Sequence, residues 1–460
     1  MRTERVRIKR GEMHLPHFPH LPTIAGLGNA EWITNYEIVN IKNEKSISEQ
    51  KRRLIMKIEI PYGNNSQTLL TNDQQLLETA SPKRTPADPK SVSKSIATPT
   101  QFEDFDSFIS ARKKILVVVN DYTRPTPTSS VLKQLNLRSK DTTTIIACGT
   151  HREPNQQEIR EILGGPTSPF GGRLAAHHSR DNGSLIQLGS TSRGTKLSLN
   201  RLLFDSDGII VVGSVEPHYF AGYTGGRKFL LPALAGFESV VMNHALAVDD
   251  HARITQLEGN PVHEDFMDAL RLFGRVDDIF SIQLVLNAEH QVSFASSGHI
   301  IHSFGDAVKE ANTNYVAPVT EQADIVISVS KPPMDIDFYQ SQKAIENVKL
   351  AVREGGIIIL VSSCREGIGD RGFYNLLTSH DETMDSHKFG FHKAIKMRKL
   401  LERAKIFVVS DLPTDVPKAM SLSPFANVQT AFDKALEIKG NSARVLIVYD
   451  GSVVVPIPTH

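Results

Sequence analysis

Cysteine is nearly absent: Cys148 and Cys364 are the only two in 460 residues. Two thiols build neither a disulfide framework nor a thiolate metal cage, and they fit a reducing, cytoplasmic setting. Charge of one sign is lacking too. Lys and Arg total 52 against 51 Asp and Glu, a formal charge of +1, so no global field draws the chain to nucleic acid or an anionic membrane. No uncharged apolar run approaches the roughly 18 residues of a membrane helix, and the N-terminus has no apolar signal-peptide core. What is present, 40% hydrophobic and 22% charged residues, is a globular balance at a length suited to two or three domains.

Residues 1–55 differ in texture from the rest. Arg2, Arg5, Arg7, Lys9 and Arg10 cluster at the start, and His14, His17 and His20 follow among prolines. Their spacing suits a metal, but a proline-rich setting reads as a solvated tail. The segment is expected to be a poorly ordered extension, with an alternating strand beginning at Met56. Residues 80–104 read as a loose, partly helical connection.

Beyond that point short β-branched runs recur at 115–119, 144–148, 209–212, 282–286, 325–329, 357–361, 406–409 and 445–448. Most are separated by helical periodicity, as at 154–163, 262–272, 344–353 and 391–404. The alternation predicts an α/β protein with buried, mostly parallel sheets. Two domains are expected, at 56–316 and 317–460, with an active-site cleft between them.

In open parallel sheets ligands bind beyond the carboxyl ends of the strands. Three successive runs end in reactive side chains: Asp121-Tyr122-Thr123-Arg124, then Gly149-Thr150-His151, then a stretch from Pro217 through His218 to Arg227-Lys228. Asp121 and Arg124 suit either a turn ion pair or a grip on carboxylate or phosphate. His151 and His218 are each equally a hydrogen-bonded loop residue, but together in one crevice they suit acid/base work. Lys228 closes a loop with Gly222, Gly225 and Gly226. It is no Walker site, because Arg227 stands where glycine is needed and Phe229 where Ser or Thr would bind magnesium. Such a lysine can bind phosphate or attack a carbonyl or thioacyl group. His244 has no H-E-x-x-H context. Gln340 and Lys343 share one helix face. Residues 367–372 fit G-x-G-x-x-G, but five residues separate them from their strand, so a flexible loop competes with a dinucleotide site.

Taken together, these motifs resemble the nickel-pincer-nucleotide-dependent lactate racemase family, within the wider 2-hydroxyacid racemases and epimerases. The likeness runs from about residue 56 to 458, and the block 217–228 carries most of it. The resemblance implies that Lys228 tethers a nickel-bearing pyridinium bis-thiocarboxylate mononucleotide, the nickel-pincer nucleotide, through a thioamide. It implies that His244 ligates nickel and that His151 and His218 are the paired catalytic histidines. Asp121, Tyr122, Thr123 and Arg124 would contact the nucleotide, with Arg124 also near the substrate. Gln340 and Lys343 would hold the substrate carboxylate, and cofactor-synthesis enzymes would load the protein.

The implied chemistry suits the residues. The Cα–H of a 2-hydroxy acid is too weak an acid for a histidine alone, so a hydride acceptor is needed. Two imidazoles would then serve the hydroxyl proton in either substrate orientation. The substrate is expected to be lactate or a lactate-like acid; malate, an aryl lactate or a sugar acid is the alternative. An NAD-dependent hydroxyacid dehydrogenase using 367–372, or a protein that stores the nucleotide, are rival readings.

Overall fold

The computed structural model describes residues 33–40, 52–72, 75–83, 85–137, 139–379 and 390–459. His14, His17 and His20 lie outside these residues, as does most of the expected extension. Within the extension, Ile33–Asn40 is a strand, antiparallel to Arg52–Tyr62. Among the described residues no helix is long and apolar enough to cross a membrane.

The fold is α/β in two compact units, and neither is one contiguous stretch. One comprises Pro82–Ala317 and Asp370–Met397; the other comprises the described parts of Met1–Ser81, Pro318–Gly369 and Arg398–His460. Beside the expected domains at 56–316 and 317–460, two segments group differently in these compact units. Leu76–Ala80 pairs in parallel with Arg444–Val448 and so joins the later unit. The start of the Phe391–Arg403 helix packs its His392 ring against Tyr219 and Phe220 and so joins the earlier one.

The Pro82–Ala317 unit is built on six strands ordered Val292–His299, Ile279–Leu286, Gly208–Ser214, Lys114–Asn120, Asp141–Ala147 and Arg173–Ala176. All neighbours are parallel except the first pair. Numbered by chain order from Lys114, the sequence of strands is 6-5-4-1-2-3, the doubly wound dinucleotide-fold order. Alternate side chains feed two cores. Leu116, Val118, Ile209 and Val211 face one side with Phe266 and Leu270; Val117, Val119, Ile210 and Val212 face the other with Phe108 and Leu132. Burial on both faces is why these strands read as unbroken apolar runs. Each such side chain contributes about 1.5–3 kcal/mol.

In the other unit the strand order is Ser423–Phe425, Lys405–Val409, Val352–Val361, Ala323–Val329, Arg444–Val448 and Leu76–Ala80, all parallel. Ile58, Ile60 and Leu69, from the antiparallel strands Arg52–Tyr62 and Asn65–Asn72, cover one face of this sheet together with Phe432. The helix expected at 344–353 instead spans Phe338–Glu346, and Val352 already opens a strand. All nine residues of that helix are buried, so it has no amphipathic stripe to read.

Candidate active site

The strands Lys114–Asn120 and Gly208–Ser214 lie side by side, and the chain leaves them toward opposite edges of the sheet. Their carboxyl ends therefore bound the crevice at the switch point. Side chains tie the two ends together. Asn120 Nδ2 donates to Thr126 Oγ1 at 2.8 Å, and Thr126 Oγ1 meets Ser214 Oγ at 3.0 Å. Arg124 Nη1 donates to Glu216 Oε1 at 3.1 Å.

Asp121 opens this crevice from below His151. Its Oδ1 accepts Thr123 N and Oγ1, and its Oδ2 meets His151 Nδ1 at 2.6 Å. Burial pushes the carboxyl up, but the His151 charge and these hydrogen bonds outweigh it, and it stays below the usual range. An ionised acceptor puts the His151 proton on Nδ1 and leaves the Nε2 lone pair as the basic atom. Tyr122 lies under the Arg152 guanidinium, 4.1 Å from its ring centroid.

The lysine loop is a tight fold. Pro217–His218 pairs with Gly222–Tyr223. Gly226 has φ +50°, and a Cβ there would sit 2.6 Å from the Phe304 ring. Gly222 has φ +76°, and a Cβ would sit 2.3 Å from the Gln256 carbonyl oxygen. Only glycine fits either place. Within the loop, Ala221 N donates to His218 Nδ1 at 3.3 Å, which assigns the His218 proton to Nε2,. The two imidazoles are thus held in opposite tautomers, His151 with a basic Nε2 and His218 with an Nε2–H.

Phe220 gathers the remaining groups. Its ring centroid is 4.5 Å from that of His218 and 5.0 Å from that of His244. Lys228 Nζ lies 5.8 Å from the same centroid. Lys228 is buried, and among the described residues no carboxylate bonds it. Burial, then the charges of Arg124 and Arg227, push its amine well below the lysine range, while Glu216 opposes them. Burial thus favours the uncharged, nucleophilic form of the amine,. Burial likewise holds His244 near about 3, reinforced by Lys228 and Lys393. Asn243 Nδ2 donates to Asp265 Oδ2 at 2.8 Å, so its Oδ1 is the acceptor facing His244 Nδ1 at 3.1 Å. His244 therefore carries its proton on Nδ1 and keeps an Nε2 lone pair, the form a metal needs.

Sequence reasoning missed three residues here. Arg227 is fully buried and donates to the carbonyls of Ala221 and Tyr223 and to His263 Nδ1. His392 sits 5.4 Å from the His244 ring, and its Nε2 meets Tyr219 OH at 3.2 Å. Lys393 Nζ is 5.4 Å from the Tyr219 ring centroid. Nothing in the local pattern around residue 392 signals this, because only the tertiary fold brings that helix start to residue 219.

Gln340 and Lys343 belong to the other unit. Lys343 Nζ donates to Gln340 Oε1 at 2.7 Å, on one face of the Phe338–Glu346 helix as expected. The 367–372 loop packs beside that helix: Phe338 N donates to Gly367 O, and a Cβ on Gly369 would strike the Asp337 carboxylate at 2.6 Å. Gly369 thus serves packing against the start of that helix.

Comparison with known proteins gives the family. The Lactate racemase N-terminal domain family matches residues 62–255, and the Lactate racemase C-terminal domain family matches residues 319–455. The chain belongs to the lactate racemase family. It is accordingly an isomerase. It is 27% identical over 430 residues to the lactate racemase of Thermoanaerobacterium thermosaccharolyticum, covering 86% of this chain and 98% of that one. It is 26% identical over 423 residues to the lactate racemase of Lactiplantibacillus plantarum, with the same coverage. The structure of the lactate racemase apoprotein from T. thermosaccharolyticum superposes with a TM-score of 0.76 at 25% identity, over 87% of this chain and 99% of that one. A Thermotoga maritima crystal structure shares the fold, with a TM-score of 0.61 at 18% identity over 80% and 96% of the two chains.

The cofactor that the family resemblance implies can be tested against these residues. Among the described residues no three His, Cys, Asp or Glu side chains gather to hold a metal ion. One imidazole at His244 with an Nε2 lone pair, beside the buried amine of Lys228, suits a metal that arrives with its other ligands on an organic carrier,. His244 and Lys228 are the residues here with the donor chemistry to hold such a group.

Proposed function

We propose that the protein racemises a 2-hydroxy acid, lactate or a close relative, with a nickel-pincer nucleotide held by Lys228 and His244. The observation that carries this reading is the meeting of His218, His244 and Lys228 on the single ring of Phe220. When bound, the nucleotide supplies a reversible acceptor for the Cα hydride. Lys228 would tether it through its buried amine, and His244 would give its metal one nitrogen. Asp121, Tyr122, Thr123 and Arg124 line its seat, Asp121 chiefly by holding His151.

The chain's own residues handle the hydroxyl proton and the carboxylate. His151 Nε2 takes the hydroxyl proton, and the Asp121 carboxylate stabilises the imidazolium that results. His218, protonated on both nitrogens with the 3.3 Å Ala221 contact released, returns its Nε2 proton to the oxygen when the planar keto acid presents its other face, and is left neutral,. In the reverse direction the two imidazoles exchange roles. Arg124 grips the substrate carboxylate, and the Gln340–Lys343 pair is a second grip. Tyr219 and Phe220 exclude water from the imidazoles. The reaction is placed in the cytoplasm, where both buried thiols stay reduced and cofactor-synthesis enzymes load the protein.

A chiral assay tests the reading. Protein co-expressed with cofactor-synthesis enzymes, and shown by intact mass to carry the adduct, should interconvert L- and D-lactate without added NAD. Conversion of malate or an aryl lactate instead would reassign the substrate. No conversion of any 2-hydroxy acid by adduct-bearing protein would sink the proposal. His244→Ala should retain the organic adduct while losing most of its nickel by elemental analysis.

A further inference from the structure

Glu216 has no part in the chemistry above, yet its place in the fold is unusual. It follows the Gly208–Ser214 strand and precedes His218 by two residues. Its side chain is only 6% exposed, with Oε1 on Arg124 Nη1. Its backbone is clamped to the lysine loop. Glu216 N donates to Thr224 Oγ1 at 2.9 Å, and Thr224 N donates to Glu216 O at 2.8 Å. Thr224 Oγ1 also donates to Ser214 O at 3.0 Å. The Glu216 backbone is therefore fixed to the loop that carries Lys228, which Thr224 ties in turn to the strand end, while its carboxylate holds Arg124.

Arg124 completes the picture. Among the described residues its side chain makes one hydrogen bond, the one to Glu216, out of five N–H donors,. A stitch between two loops would more often use the guanidinium fork bidentately. Here one corner is anchored on Glu216, and the side chain keeps 19% of its surface exposed. An anion arriving on those donors shares a single positive charge with Glu216.

We propose that Glu216 is a positioning residue that aims Arg124 at the substrate carboxylate and, by its own charge, keeps the grip loose enough for the keto acid to turn. This rests on Arg124 as the carboxylate grip. The planar intermediate has to stay bound and still present both faces. A lone buried arginine would hold it too firmly in one pose; an arginine already half-neutralised by Glu216 holds it and lets it move.

The test compares wild type, Glu216→Gln, Glu216→Ala, Arg124→Ala and the Glu216→Gln/Arg124→Ala double variant. Gln keeps an acceptor for Arg124 but removes the charge. Calorimetric titration of cofactor-free protein with pyruvate should show Glu216→Gln binding roughly fivefold tighter than wild type. The gain should vanish in the Arg124→Ala background. In loaded enzyme Glu216→Gln should lower KM and kcat together, whereas Glu216→Ala, which leaves Arg124 unaimed, should raise KM. Unchanged pyruvate affinity in Glu216→Gln, a gain that survives in the double variant, or no binding by any variant would overturn the proposal. So would equal losses of kcat in both variants with KM unchanged, the mark of a purely structural stitch. The titration needs no turnover, so it decides Glu216 separately from whether the loaded wild type racemises anything.

Discussion

Asp121 decides what His151 can do. Its carboxylate, shared between Thr123 and His151 Nδ1, sets the tautomer and would stabilise the imidazolium,. Asp121→Asn retains the shape and loses the charge. It should lower kcat roughly a hundredfold to ten-thousandfold while pyruvate affinity changes little. A kcat within twofold of wild type would remove Asp121 from that role. Lys228 makes a second case. Its buried amine gains nothing from an ion pair among the described residues, so it is retained at a cost to stability. Lys228→Met should abolish the covalent adduct in intact-mass spectra while leaving the thermal midpoint equal or higher. A lower midpoint would mean that the lysine is structural. His151, His218 and Lys228 were legible as reactive residue types following strand ends, whereas His244, inside the Phe237–Ala245 helix, was marked only by the family resemblance. Their tautomers were not, because those depend on an Asp thirty residues away, a backbone N–H and an Asn–Asp pair.

The helix Pro261–Phe273 shows how an element holds the site without touching substrate. Asn260 caps it, with Oδ1 accepting Val262 N and His263 N. Its Nδ2 donates to the carbonyls of Phe220 and Gln256, at 2.8 and 3.0 Å. One amide both starts the helix and anchors the ring on which the site converges. Asn260→Ala should cost about 2–4 kcal/mol in urea unfolding, a lost cap plus unpaired buried carbonyls. It should also speed amide exchange in the 218–228 loop; unchanged exchange there would confine Asn260 to capping. The helix at 262–272 was legible from its apolar period. For Phe338–Glu346 the start at Tyr339–Lys343 was legible and the end was not, since a helix buried all round has no polar face to mark its phase,. The edge strands Arg173–Ala176 and Ser423–Phe425 were missed for a related reason: their burial is partial and they carry no apolar run.

At the scale of the whole molecule, acid should be its weakness. Burial lowers His177 to about 4, and burial with Arg227 lowers His263 to about 3. Both are neutral when folded, whereas an unfolded histidine takes up its proton near 6.5. Above that value neither state is charged and nothing is lost. As pH falls below about 6.5 only the unfolded chain gains protons, so stability drops until the folded imidazoles titrate near 4 and 3. Each such histidine contributes a slope of up to about 1.4 kcal/mol per pH unit in that window. Urea unfolding from pH 7 to 4 should show this fall, and His177→Gln should flatten it by about one proton. A slope identical to wild type in that variant would mean His177 is charged in the folded protein.

The sequence by itself determined the α/β class, because strands buried on both faces must be unbroken apolar runs. It also determined the reactive residue types at successive strand ends, because side chains following such runs are displayed at the sheet's open edge. Only the tertiary structure decided which strands are neighbours. That put Arg124 against Glu216 across the switch point, sent Leu76–Ala80 to the Arg444–Val448 strand, and carried His392 to Tyr219. Local pattern reports which face of an element is buried; it carries no information on which distant element buries it.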